Sequence, residues 1–210
     1  VGTGMQVIWL RFFKIYLTNT SYTFALISSM VVLGLFIGSW HYSRKERLIK
    51  NHVRVLLGML ILLAIFIFTG LLILLNLHSL LLFPITDLFQ GHFVRIILIP
   101  VLSSILIILP VSIVTGYIFP LACTLYNNDF SEVSRSVGSV LLANTAGSVA
   151  GPLIAAFILV PLLGAALAVS CVIVMVLTVV FILSKSNLNI KSILIMKWGA
   201  GLAAMIILLV

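Results

Sequence analysis

The chain has 210 residues, of which 63% are hydrophobic and only 8% are charged, and its mean hydropathy is +1.36. Soluble globular domains are roughly 45–50% apolar and about 25% charged, so this composition excludes a soluble globule and predicts an integral membrane protein. The formal net charge of +8 does not indicate nucleic-acid binding, because the basic residues lie at the ends of apolar runs, where membrane topology accounts for them.

Apolar runs of membrane length follow one another along the chain. About 20 residues at 1.5 Å each cross a hydrocarbon core of roughly 30 Å, so uncharged runs of about 18 residues or more predict transmembrane helices. Five complete spans are predicted at residues 20–40, 55–77, 96–122, 137–160 and 162–183, with partial spans at 1–17 and 193–210. Since runs without alternation exclude barrel strands, we predict an all-α integral membrane protein, with one transmembrane domain over residues 1–210 built as a multi-helix bundle.

The two partial spans lead to an expectation about the whole protein. Residues 1–17 resemble the tail of a helix, whereas residues 193–210 begin an apolar run with no polar flank after it. We therefore expect the chain to be a piece of a longer polypeptide.

Small residues recur every four positions on two predicted spans. Gly34 and Gly38 do so on the span at residues 20–40. A longer series on the span at residues 137–160 consists of Ser139, Ala143, Gly147, Gly151 and Ala155. A helix face with almost no side chain lets another backbone approach closely, which is how helices gain packing energy in lipid. We interpret both series as helix-packing faces; for the longer one a substrate passage is the alternative.

The longer small-residue series carries polar neighbours. Asn144 and Thr145 lie within it, and a buried amide in lipid has to find partners. Asn144 can bond to a neighbouring helix as structural glue or face a polar cavity and contact a solute, and both alternatives stay open. Glu132 and Arg135 lie three residues apart just before this span. They can form an ordinary helical ion pair, or they can act as a gate pair on the cytoplasmic side, and both alternatives stay open.

Basic residues divide unevenly between the two sides that the predicted spans define. One side has Arg11, Lys14 and Arg95. The other side has Arg44, Lys45, Arg47, Lys50, Arg54, Arg135, Lys185, Lys191 and Lys197. Because Lys and Arg accumulate in cytoplasmic loops, we predict that this second side is cytoplasmic.

Four segments together resemble one known family. ANTAGSVAGPLIAAFILVPLLG, at Ala143–Gly164, is similar to the signature of the transporter-like membrane domain of fused spermidine synthase-like proteins, in which an Asn-Thr-x-Gly segment leads to Pro-Leu-Leu-Gly. MQVIWLR resembles the end of the family's first helix, FALISSMVVLGLFIGS its second helix, and YIFPLA followed by SRSVGSVLLANT its later Phe-Pro entry. The similarity runs from about Met5 to Gly164.

The resemblance implies a helical domain with the layout of major facilitator transporters, followed by a cytoplasmic aminopropyltransferase domain. That domain makes polyamines by moving an aminopropyl group from decarboxylated S-adenosylmethionine to putrescine. This chain departs from the family at Gln6, where a carboxylate is usual, and so lacks a charged partner for Arg11.

The chain itself has no sign of the enzyme. Aminopropyl transfer needs a glycine-rich turn after a strand and acidic residues that hold and deprotonate the diamine. The four carboxylates, Glu46, Asp87, Asp129 and Glu132, lie in predicted loops with no such unit before them. We therefore predict no catalytic, cofactor-binding or metal-binding residue in this chain. The parent protein would be an aminopropyltransferase only if a soluble domain follows these 210 residues.

Three functions remain open at this stage. The first is the membrane domain of a spermidine synthase-like protein in a bacterial inner membrane, with the lipid bilayer and a cytoplasmic aminopropyltransferase domain or subunit as partners. The second is a facilitator-type transporter of a small-molecule solute, and the third is a structural membrane scaffold. The candidate ligand positions are Gln6, Arg11, Asn144 and Thr145.

The predicted orientation has a direct test. In a background with Cys123 and Cys171 replaced by alanine, a Lys45→Cys variant should resist a membrane-impermeant maleimide added to intact cells, because its loop is predicted to be cytoplasmic. A Gln90→Cys variant, in the predicted outer loop at residues 80–93, should react. Labelling of Lys45→Cys in intact cells would contradict the orientation.

Overall fold

The computed structural model describes residues 2–16, 20–76, 98–126 and 133–186. Within these ranges every residue outside 49–51 and 76 is helical, so the described part of the chain contains no strand. The elements are α1 (Gly2–Tyr16), α2 (Thr20–Lys45), a 3-10 turn (Glu46–Leu48), α3 (His52–Leu75), α4 (Ile99–Tyr126), α5 (Val133–Ile154), a π turn (Ala155–Leu159) and α6 (Val160–Ser186). The all-α prediction is confirmed.

Four helical runs in these ranges are long and apolar enough to cross a membrane. They are Thr23–Leu48, His52–Leu75, Ile99–Tyr126 and Val137–Lys185. The chain is therefore an integral membrane protein, as its composition predicts. The fourth run is 49 residues long and covers both spans predicted at residues 137–160 and 162–183. The partial span at residues 193–210 and the predicted outer loop at 80–93 lie outside the described residues, and the number of crossings stays a prediction.

Two helices extend beyond one end of their predicted spans, α2 at its carboxyl end and α3 at its amino end. α2 continues to Lys45, five residues past the apolar stretch, because hydropathy marks the part that suits lipid while helical hydrogen bonding continues into the polar residues that follow. α3 begins where Asn51 caps it, with the Asn51 side chain accepting a hydrogen bond from the Arg54 backbone N–H at 3.0 Å.

The long fourth run is interrupted near its middle. In the π turn the Val160 N–H donates to the Ala155 carbonyl, five residues back, just before Pro161, which has no N–H to donate. Gly164 then leaves the helical conformation, with φ of 80° and ψ of 168°. This conformation strains any residue with a side chain, so glycine is needed at that position.

α1 contributes a buried face to the core, although it is the shortest of the described α-helices. Its residues Met5, Ile8, Trp9, Phe12 and Phe13 are all buried, at spacings that keep them on one broad helix face. α1 packs against α2, α5, the π turn and α6, and has a smaller contact with α4. One face of α1 is thus covered by several neighbouring elements.

The closest helix pair is formed by α2 and α4. A Cβ built on Gly38 would collide with the Ile113 carbonyl oxygen and lie 2.8 Å from the Tyr117 backbone nitrogen, and one built on Gly116 would lie 2.5 Å from the Leu35 carbonyl oxygen. Gly34 meets Ser112 in the same way. Side chains at these glycines would force the two backbones apart, so the pairing depends on glycine from both helices.

Two glycine substitutions should separate close packing from helix propensity. Gly38→Ala should lower the free energy of unfolding by about 1–3 kcal/mol, because its methyl group meets backbone atoms of α4. Gly58→Ala, on the exposed side of α3 with nothing within 4 Å, should raise it by about 0.5–1 kcal/mol. Thermal unfolding in detergent micelles measures both, and equal shifts in the same direction would contradict the packing of α2 against α4.

Candidate functional site

Asn144 and Thr145 lie on an exposed face of α5. The Thr145 hydroxyl donates to the Leu141 carbonyl oxygen of its own helix at 2.8 Å. The Asn144 amide makes no hydrogen bond with any part of the chain that the structure describes. It lies seven residues beyond Val137, where the membrane-length run begins, which is about 10 Å along the helix. An unpaired amide at that depth in hydrocarbon is costly, so a partner outside the described helices would stabilise it.

The small-residue series on α5 divides into two halves. Gly151 lies against Gly4 of α1, where a Cβ on Gly4 would be 3.3 Å from the Gly151 carbonyl oxygen, and the next member, Ala155, is buried. Ser139, Ala143 and Gly147 are exposed, and a Cβ on Gly147 would meet nothing within 4 Å. Among the described helices, close packing therefore occurs at the carboxyl-terminal half of the series.

The candidate ligand positions on α1 lie apart from those on α5. Gln6 is half-buried and Arg11 is exposed. The two helices cross at Gly4 and Gly151, two residues before Gln6 and seven residues after Asn144. In the described ranges no hydrogen bond or ion pair joins Gln6 or Arg11 to Asn144, so the structure does not bring these four predicted positions into one polar cluster.

The candidate gate pair cannot be placed as a pair. Glu132 lies outside the described residues, and Arg135 falls in the first turn of α5, where only the backbone is described. The pair stays a prediction.

The structure brings together a polar cluster that the sequence analysis missed, between α2 and α4. The Tyr42 hydroxyl donates to the Thr124 hydroxyl oxygen at 2.8 Å, and the Thr124 hydroxyl donates to the Pro120 carbonyl oxygen at 3.1 Å. The Tyr42 and Tyr117 rings meet edge to face with centroids 5.2 Å apart, and the His41 ring lies 6.2 Å from Tyr117. We call Tyr42, Tyr117, Thr124 and His41 the tyrosine cluster.

A spacing signal for the tyrosine cluster was present in the sequence. Tyr42 follows Gly34 and Gly38 at the same four-residue spacing, which places all three on one face of α2. Thr124 likewise follows Gly116 by two steps of four on α4. The hydroxyls of the buried Tyr42 and the half-buried Thr124 thus continue the glycine packing toward one end of the helix pair and fix its register by hydrogen bonding.

The polar groups at these positions are amides, hydroxyls, the His41 imidazole and the Arg11 guanidinium. Among the described residues the single carboxylate is Glu46, exposed after the end of α2, and no group of three His, Cys, Asp or Glu side chains could hold a metal ion. A further polar group, the Ser103 hydroxyl of α4, is buried without a hydrogen-bond partner. The described arrangement can therefore recognise a ligand by hydrogen bonding, but it supplies no intramembrane carboxylate for proton transfer or for binding a cation.

Asn144 can be tested as a structural residue. Asn144→Leu should change the free energy of unfolding of the solubilised protein by no more than about 0.5 kcal/mol, because the described helices give the amide no hydrogen bond to lose. Thr145→Val, which removes only a bond within one turn of the same helix, is the matched control. A loss above about 1 kcal/mol for Asn144→Leu alone, measured by thermal unfolding in micelles, would show that the amide has a structural partner.

Comparison of the chain with protein-family models, with curated proteins and with solved structures finds no match in any of the three.

Proposed function

We propose that the chain is the membrane domain of a spermidine synthase-like fusion protein, with a major-facilitator-like layout, that serves polyamine biosynthesis or movement in a bacterial inner membrane. The support is that the segments that carry the resemblance fall at helix contacts. MQVIWLR supplies three buried residues of α1. In the segment FALISSMVVLGLFIGS, Gly34 and Gly38 lie against α4. Segments that pack helix against helix are what a membrane domain of this kind requires.

The end of the segment Ala143–Gly164 gives further support. Its Pro-Leu-Leu-Gly motif finishes at Gly164, the one position in the described ranges with a positive φ. The glycine at the end of this motif has a structural role, because the helix is interrupted there in a conformation that only glycine adopts without strain. Gly151 of the same segment lies against Gly4 of α1.

In this proposal the chain acts as the membrane part and a cytoplasmic aminopropyltransferase domain or subunit performs the chemistry. The amides and hydroxyls of the described helices do not provide the acidic residues that aminopropyl transfer requires. The membrane domain would hold the enzyme at the bilayer, where its product can be made next to a route across the membrane.

A facilitator-type transporter is the second candidate function. It is favoured by the Asn144 amide, which has no partner within the described ranges although it lies on a membrane-length helix. A neutral or anionic solute fits better than a cation, since the described spans carry no carboxylate to neutralise one.

A structural scaffold that packs against another protein's helix is the third candidate function. The observation that supports it is the exposed half of the α5 series, at Ser139, Ala143 and Gly147.

Activity of the native protein in its own membrane tests the first proposal. Membranes that contain it should transfer an aminopropyl group from decarboxylated S-adenosylmethionine to putrescine, and the intact mass of the purified polypeptide should exceed that of these 210 residues by a soluble domain. Membranes from a deletion strain are the control. If neither the extra domain nor transfer above that control is found, the proposal is wrong.

Solute uptake distinguishes the transporter. Proteoliposomes containing the native protein should show no uptake of labelled putrescine or spermidine above empty liposomes if the chain only anchors an enzyme. Uptake that is lost in Asn144→Ala but kept in Thr145→Val, with both variants equally stable, would instead favour transport with Asn144 in contact with the solute.

A further inference from the structure

The connection between α2 and α3 concentrates positive charge. Its basic residues, which together we call the basic loop, are Arg44, Lys45, Arg47, Lys50 and Arg54. All five are exposed, and Glu46 is the one acidic residue among them. No ion pair joins Glu46 to these residues in the part of the chain that the structure describes, and five positive charges with one negative charge leave the loop with a net charge of +4.

The basic loop is short and ordered by its own backbone. The 3-10 turn at Glu46–Leu48 closes with a hydrogen bond from the Ile49 N–H to the Glu46 carbonyl oxygen at 3.1 Å. Asn51 then caps α3, so that six residues, 46–51, reverse the chain between two membrane-length helices. The reversal holds five charges together at one end of the bundle, beside the membrane surface where the run Thr23–Leu48 ends.

Apolar side chains lie among these charges. Leu48 at the turn is 77% exposed, and Trp40 in the last part of α2 is 47% exposed. The Arg44 guanidinium carbon lies 3.9 Å from the centroid of the Trp40 ring, a cation–π distance. Tryptophan prefers the headgroup level of a bilayer, so Trp40 and Leu48 can enter the interface while Arg44 stays at the depth of the phosphates.

We propose that the basic loop is a binding surface for the phosphate headgroups of anionic phospholipids in the adjacent leaflet. At the basic loop, apolar side chains that suit the membrane interface and basic residues that suit anionic headgroups occur together. Basic residues next to a membrane attract anionic lipid, with each contributing about fivefold in affinity at moderate salt. Arginine adds paired hydrogen bonds to phosphate oxygens. Phosphatidylcholine also has a phosphate, but the positive charge of its choline offsets the negative charge of that phosphate, so the basic residues attract this lipid less.

Lipid titration of the solubilised full chain, followed by native mass spectrometry, tests this proposal. The probes are phosphatidylglycerol and phosphatidylcholine with identical acyl chains. The unmodified chain should prefer phosphatidylglycerol, and Arg47→Gln with Lys50→Gln should reduce that affinity by about 25-fold. Lys14→Gln with Lys185→Gln removes two exposed charges elsewhere and should change it less than about threefold.

Three results would overturn the proposal. One is equal affinity of the unmodified chain for both lipids, and another is an equal loss of affinity in both double variants, which would indicate a general effect of net charge. The third is displacement of phosphatidylglycerol by inorganic phosphate at the same concentration, which would indicate a site for soluble anions. Circular dichroism of each variant should give the unchanged helical spectrum, because all the substituted side chains are exposed.

Discussion

The bundle depends on the direct approach of two backbones at Gly34, Gly38 and Gly116. Between helices in lipid there is little hydrophobic driving force, because the acyl chains are as apolar as leucine, so association depends on dispersion contacts and hydrogen bonds. Glycine on both α2 and α4 allows those contacts to form along the main chain. The Tyr42 to Thr124 hydrogen bond then fixes the register, and α3 packs on the same α4 helix.

Much of this fold follows from the sequence, because its causes are local. Apolar runs in lipid have to be helical to satisfy their own backbone groups, and the described residues are helical almost throughout. Gly34 and Gly38 lie in a close helix contact, as expected from their spacing. The sequence does not indicate which helix these two glycines contact. Ser112 and Gly116 of α4 are also four residues apart, but small residues recur at that interval elsewhere in the chain as well.

The α5 series shows the limit of such reasoning. Gly147 and Gly151 are consecutive members of one four-residue series and have neighbours of similar chemistry. A Cβ on Gly147 would nevertheless meet nothing within 4 Å, whereas Gly151 faces Gly4. Periodicity specifies which residues share a helix face, whereas the crossing angle and position of two helices decide where that face is covered. For the same reason Gln6 and Asn144 could be identified as polar membrane positions but not located relative to each other.

The buried face of α1 has a consequence for biogenesis. Its buried face, which includes Ile8, Trp9 and Phe13, is completed in part by α6, which ends at Ser186. At about 5–20 residues per second, synthesis of the intervening chain takes roughly 10–40 s. During that interval lipid or an insertion chaperone has to solvate the face that the later helices will cover, so α1 reaches its native environment only after α6 has been made.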